Sequence, residues 1–280
     1  MMSTIRLIRG RYGAAAVGWQ DRVYVFGGSG KEGLIADVEA INARTGNVAP
    51  LPWKLMPRRY HKAAILGDTA FLVGGYGSGG NTLDLERIDL RTGVVTKCRP
   101  APTQHTSATV VVANGLLWVI GGSVNGGHTG AMDIYNSQSD TWEGGPPLPT
   151  PRECTGVVHN GLIHVVGGFA GKAGMRTWET YSIGQGRWVP RPELPFPISA
   201  HHMAIVENTA YAFGDYAVLS RVIACDLRGG KWSAPRLPEP FVPRRHVAVT
   251  ALGDTVYAIG GNIAGSGSFL DTVQAFRVPG

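Results

Sequence analysis

A short apolar run ending in Gly-Gly recurs six times along the chain, and this limits the fold more than any other feature. The copies are Val25-Phe26-Gly27-Gly28, Leu72-Val73-Gly74-Gly75, Val119-Ile120-Gly121-Gly122, Val165-Val166-Gly167-Gly168, Ala212-Phe213-Gly214-Asp215 and Ala258-Ile259-Gly260-Gly261. Their first glycines are spaced by 47, 47, 46, 47 and 46 residues. A steady period of this size marks a chain made of one repeated supersecondary unit. The copies fill all 280 residues, so the reading is a single domain with no linker.

Each unit has the same grammar. Two apolar runs flank a tight turn, as at Ala113-Asn114-Gly115 and His159-Asn160-Gly161. Asn-Gly between β-prone runs is a strong hairpin signal. The Gly-Gly closes the second strand, a variable loop follows, and two more strands complete the unit. The third and fourth strands carry apolar residues seven apart: Ile41 and Val48, Ile88 and Val95, Tyr135 and Trp142, Tyr181 and Trp188, Cys225 and Trp232. Such pairs suit packing across a hairpin and between neighbouring sheets. Four short antiparallel strands per unit make one propeller blade. The expected fold is all-β, a six-bladed β-propeller of four-stranded antiparallel blades. Its blades span about 11–56, 57–101, 102–148, 149–195, 196–241 and 242–280 plus 3–9. In the last unit Phe276 has no following partner before Gly280. The alternating Ile5-Arg6-Leu7-Ile8 is the expected closing strand, completing the last blade and hiding a sheet edge.

Composition excludes several classes. Glycine, at 40 residues, is about twice its usual share, but no Gly-X-Y period exists, so collagen is out. With 44% hydrophobic and 16% charged residues, the chain is not disordered. The net charge is +6, with basic residues scattered, so nucleic acid is not an expected partner. No apolar stretch reaches the roughly 18 residues of a membrane span. No signal-peptide core follows Met1, so the expected location is cytoplasmic. Cys98, Cys154 and Cys225 form no metal or disulfide pattern and read as buried free thiols. The sequence calls for no metal and no cofactor.

The Gly-Gly ending, the aromatic before Trp, and a Pro-Arg-x-x-His lead-in to the next unit together resemble the kelch repeat. The lead-in is Pro57-Arg58-Arg59-Tyr60-His61, with close relatives at Pro151-Arg152-Glu153-Cys154 and Pro243-Arg244-Arg245-His246. The first two units lack the Tyr–Trp pair, and the fifth has Gly-Asp for Gly-Gly. The resemblance covers essentially the whole chain and implies a six-bladed propeller. Kelch propellers serve as protein-binding platforms, as parts of oxidases and as sugar-acid isomerases, so fold alone does not decide function.

Topology places the lead-in segments and the loops after Gly-Gly on one face, around the mouth of the propeller. The expected ligand-binding residues there are Arg11, Tyr12, Arg58, His61, Tyr76, Asn125, Arg152, Phe169, Tyr216, Arg244, His246 and Asn262. Arg forks match carboxylate or phosphate oxygens, and Tyr and Phe supply flat walls. The expected partner is an anionic small molecule or acidic peptide held at a cationic, aromatic mouth, with another protein on the propeller face also open. A structural use is open to the same residues: Arg bonding loop carbonyls, and His satisfying buried backbone groups. The alternative function is an isomerase-, mutarotase- or lyase-like enzyme for a small acidic sugar or keto acid. There Arg holds the carboxylate, and His105, Glu153 or His201 moves the proton. The stretch Gly74-Gly75-Tyr76-Gly77-Ser78-Gly79-Gly80 lies between two strands, not before a helix, and reads as a flexible loop.

Overall fold

The structure, a computed structural model, describes residues 5–263 and 267–278. The fold is an all-β propeller of six blades, divided between two compact units. The first unit comprises residues 1–59 and 200–280, and the second residues 60–199.

The second unit holds blades 2, 3 and 4. Blade 2 is Lys62–Leu66, Thr69–Val73, Leu85–Asp89 and Val95–Lys97. Blade 3 is Thr109–Ala113, Leu116–Ile120, Met132–Asn136 and Thr141–Gly145. Blade 4 is Glu153–His159, Leu162–Phe169, Trp178–Ser182 and Arg187–Pro190. Each is a four-stranded antiparallel meander. The Asn114-Gly115 and Asn160-Gly161 turns have positive φ at both residues. That is the geometry that matches strand twist in a two-residue hairpin.

The seven-residue spacing becomes direct cross-strand pairing. Ile88 faces Val95, Tyr135 faces Trp142 and Tyr181 faces Trp188. The Tyr135–Trp142 rings are 4.8 Å apart and Tyr181–Trp188 5.3 Å. Each tyrosine also meets an aromatic of the preceding blade, Phe71 at 6.1 Å and Trp118 at 5.8 Å. The indoles reach back too: Trp142 donates to the Arg99 carbonyl and Trp188 to that of Pro146, each at 2.9 Å. The core is therefore the apolar filling between blade faces. Each buried aromatic in it contributes about 1.5–3 kcal/mol. The stretch from Gly74 to Gly80, expected to be a flexible loop, is an ordered miniature hairpin in which Tyr76–Gly77 pairs with Gly80–Asn81. Blade 3 carries its counterpart, Ser123–Val124 with Gly127–His128.

Blade 4 contains a buried histidine with a pH signature. His164 is fully buried, its Nδ1 lies 3.2 Å from Thr180 Oγ1, and its Nε2 has no hydrogen-bond partner. Burial is the main cause that lowers its pKa from 6.5 to about 4, with Arg191 adding to it. Between those pH values the unfolded chain takes up a proton that the folded blade refuses. Stability is complete above pH 6.5 and falls as the pH drops towards 4. Urea melts across this window will show a steep acid loss in the natural chain and a shallower one in His164→Gln. Equal slopes would contradict the assignment.

The first unit holds blades 5, 6 and 1. Blade 1 is Ala15–Trp19, Arg22–Phe26, Asp37–Asn42 and Val48–Lys54, with Ile41 facing Val48. Blade 6 is Ala248–Leu252, Thr255–Ile259 and Thr272–Arg277, completed by Ile5–Arg6. Ile5 pairs with Val273 and Arg6 with Thr272, consistent with closure of the last blade by the N-terminal strand. Residues 3 and 4 of the expected closing strand lie outside the described residues. Blade 5 has three strands, His202–Val206, Thr209–Phe213 and Val222–Asp226. Its fourth position is reduced to a single bridge between Ala224 and Ser233, which sets Trp232 beside Cys225, both buried. The Pro-rich segment Pro235-Arg236-Leu237-Pro238-Glu239-Pro240 accounts for the shortening, since proline lacks the ladder donor.

Gly-Gly is explained by conformation. The first glycine of all six doublets has positive φ, and so does the second in five. Asp215 takes no positive φ, so an L side chain fits there; its carboxylate meets Arg221 at 2.7 Å.

Candidate functional site

One Arg or His in five of the six lead-in segments turns inward, not outward. Arg11, Arg152 and Arg244 are at most 1% exposed. Each donates to the carbonyl of the first glycine of its own Gly-Gly: Arg11 to Gly27 at 3.0 Å, Arg152 to Gly167 at 2.7 Å, Arg244 to Gly260 at 3.1 Å. The same guanidinium then grips the third strand. Arg11 holds Glu39, Arg152 holds Glu179 at 2.5 Å, and Arg244 holds the Gln274 side-chain oxygen at 2.6 Å. In blade 3 a histidine does both jobs. His105 Nδ1 is 2.8 Å from the Gly121 carbonyl oxygen and Nε2 is 3.0 Å from Asp133. Blade 5 has Ile198 and Ile223 at the two positions and lacks the clasp.

These placements revise the expected site. Arg11, Arg152 and Arg244 hold their blades together and have no surface to offer a ligand. Arg58, at the same repeat position, is 1% exposed. His105, named as a candidate for moving a proton, has both ring nitrogens engaged inside blade 3 and a fully buried side chain. His61 and His201 are buried as well. Burial lowers the pKa of Arg244 to about 10; its partner is an amide, so no opposite charge offsets the loss of water.

A second repeated device orients the segments. Gly13, Tyr60, Ser107, Ala200 and His246 all adopt left-handed φ just before the first strand. Their backbones link blade to blade: Gly13 N–H to His246 O and His246 N–H to Ala200 O in the first unit, Cys154 N–H to Ser107 O and Ser107 N–H to Tyr60 O in the second. Beside this turn one lead-in side chain is buried, and in three of the segments the next, Tyr12, Arg59 or Arg245, is left half-exposed.

In the first unit that exchange assembles an aromatic, cationic patch. Arg59 donates to the Tyr12 hydroxyl, and its guanidinium carbon lies 5.7 Å from the centre of that ring. Tyr12 lies 6.0 Å from the His246 ring and 5.8 Å from Phe269. His246 Nδ1 donates to the Asn262 side-chain oxygen at 2.9 Å. Arg245 stacks 3.9 Å above Tyr216, which is 58% exposed. Paired backbone hydrogen bonds tie Tyr12 to Ser29 and Arg245 to Asn262. Of the expected residues, the structure thus brings together Tyr12, Tyr216, His246 and Asn262. Arg59 and Arg245 stand where Arg58 and Arg244 were expected. The six residues carry two guanidinium groups and no carboxylate. Adjacent Arg-Arg pairs were visible in the sequence, but only the turn decides which member is outside.

In the second unit, Tyr76 is 42% exposed on its hairpin, and Asn125 is exposed in the turn of the next one. Phe169 pairs with Glu153 across the first two strands of blade 4, and the His128 ring packs 5.8 Å from Phe169. Burial raises the pKa of the Glu153 carboxyl, against the opposing pull of Ser123, His128 and Lys62.

Residues 3–168 match the family model described as the KLHDC2/KLHL20/DRC7 Kelch-repeats domain. No curated protein matches the chain.

Proposed function

Because the chain belongs to the kelch-repeat family, we propose that it is a binding module that takes an acidic segment of another protein on the patch formed by Tyr12, Arg59, Tyr216, Arg245, His246 and Asn262. The observation that carries this reading is the Arg245–Tyr216 stack, a guanidinium held at 3.9 Å over a largely exposed ring. Stacking fixes the orientation of the fork and leaves its edge available for a carboxylate. Arg59 is braced in the same way on Tyr12. Tyr216 supplies area for an aromatic or aliphatic residue beside the acidic ones. The three cysteines are free, which fits a reducing, cytoplasmic setting.

Fluorescence polarisation with short acidic peptides, and with basic peptides of equal length, tests the reading. Acidic peptides bind and basic ones do not, and affinity falls as salt rises. Arg245→Ala and Arg59→Ala each weaken binding about tenfold, the loss of one charge-assisted contact of roughly 1.4 kcal/mol. Equal binding of both peptide classes, or unchanged affinity in Arg245→Ala, would refute it.

A further inference from the structure

The first unit has a second cationic feature, a cleft of about 320 Å³ beside a miniature hairpin of blade 1. In that hairpin Ser29–Gly30 pairs with Gly33–Leu34, and Ser29 exchanges backbone hydrogen bonds with Tyr12. The cleft is lined by Arg9, Gly10, Gly30, Lys31, Glu32 and Ile35 among others; neither Arg59 nor Arg245 lines it. A Cβ on Gly30 would sit 2.9 Å from the Gly10 carbonyl oxygen, and one on Gly10 would strike the Phe269 carbonyl. The floor is therefore bare backbone and the buried Ile35 side chain. Arg9 is held by Asp37 at 2.9 Å, whose other oxygen takes Lys54 at 2.6 Å, yet its side chain is still 56% exposed. Among the described residues Lys31 has no side-chain partner, and the amides of Gly10, Lys31 and Glu32 have no acceptor. All of the net charge of +6 lies in this unit, which has sixteen Lys and Arg against ten Asp and Glu, whereas the second unit has ten of each.

We propose that this cleft binds the phosphate group of a small phosphorylated metabolite, with Arg9 and Lys31 as its two cationic contacts. A phosphate ester carries three terminal oxygens and about two negative charges near neutrality. The Arg9 guanidinium, planar and oriented by Asp37, presents a fork to two of those oxygens. Lys31, a point charge on a flexible stem, serves the third. Glycine at positions 10 and 30 leaves the floor open to close approach, and the spare amides add donors. The volume is at the lower end of the roughly 300–1,000 Å³ of small-molecule sites, so the organic part of the ligand is short. Glu32 lines the same cleft and is exposed. Its carboxylate repels the phosphate, so removing that charge strengthens binding.

The test is isothermal titration of the full chain with glycerol 3-phosphate, and with glycerol and sulfate at the same ionic strength. Glycerol 3-phosphate is expected to saturate one site, sulfate to bind about tenfold more weakly, and glycerol not to bind. Lys31→Gln and Arg9→Gln each weaken glycerol 3-phosphate about tenfold, whereas Glu32→Gln tightens it about threefold. Lys31 and Glu32 stand in an exposed turn, so thermal melts of their variants match the natural chain. No saturable binding by the natural chain, equal affinity for sulfate, or unchanged affinity in Lys31→Gln would overturn the proposal. Affinity lost in Arg245→Ala but kept in Lys31→Gln would move the phosphate to the aromatic patch and overturn it as well.

Discussion

Glu39→Ala is expected to lower the unfolding free energy by about 3–5 kcal/mol, the usual cost of leaving a buried charge without its partner. The Arg11 and Glu39 side chains are 0% and 2% exposed, so the stranded guanidinium has no route to water. Burial already lowers the pKa of Arg11, and Glu39 is the main influence opposing that shift. Glu39 does more than pair. It accepts the Ile8 amide at 2.7 Å and the Arg9 amide at 3.3 Å, just beyond the closing strand. The same substitution will therefore speed hydrogen exchange at Ile8 and Arg9, and at Leu7, whose amide is bound 2.7 Å from the Asp271 carbonyl oxygen. Glu39→Gln will cost less, because blade 6 holds Arg244 with Gln274. Urea denaturation of the three proteins decides the matter. A loss below about 1 kcal/mol for Glu39→Ala would place the clasp among weak surface ion pairs.

Gly74→Ala is expected to cost about 2–5 kcal/mol. A left-handed alanine contributes about 1–2 kcal/mol, and forcing an atom into a filled site about 1–3 kcal/mol more. Gly74 has a φ of 58°, and a Cβ there would sit 2.0 Å from the His105 carbonyl oxygen. That oxygen belongs to the next blade's lead-in segment and accepts the Gly75 amide at 2.9 Å. Neither backbone can retreat without losing that link. Gly67 is the control: its φ is 60°, but a Cβ there would meet no atom within 4 Å. Gly67→Ala should therefore lose only the conformational part, about 1–2 kcal/mol. Paired thermal melts separate the two terms. Equal destabilisation would mean that close blade approach is not what the Gly-Gly doublet serves.

The two glycines show how far local pattern reaches. A Gly-Gly repeat could be counted and its period measured without coordinates. The Tyr135–Trp142 and Tyr181–Trp188 partners were legible for the same reason, since a seven-residue offset across a short turn admits one antiparallel register. The shortened fourth position of blade 5 was partly legible, in the prolines after Trp232. The clasp was not. Its acidic members, Glu39, Asp133 and Glu179, sit in strands otherwise apolar and buried, spaced like the rest of the repeat. Nothing in the one-dimensional pattern linked them to an Arg or His 27 or 28 positions earlier.

Chain order alone determined the number of blades, the four-stranded grammar that five of them complete and the segment available to close the last, because hydrogen-bonded sheets impose short-range rules on spacing and turn chemistry. Which side chain of each lead-in faces inward was decided by tertiary structure. A left-handed turn rotates neighbouring residues to opposite sides, and the buried side is the one where a glycine carbonyl and a third-strand acid or amide already wait for donors. That is why Arg11 and Arg244 stabilise blades, while Arg59 and Arg245, adjacent to residues at the same repeat position, lie half-buried on Tyr12 and Tyr216; Arg152 meets the same kind of partners in blade 4, where no lead-in residue takes a left-handed φ.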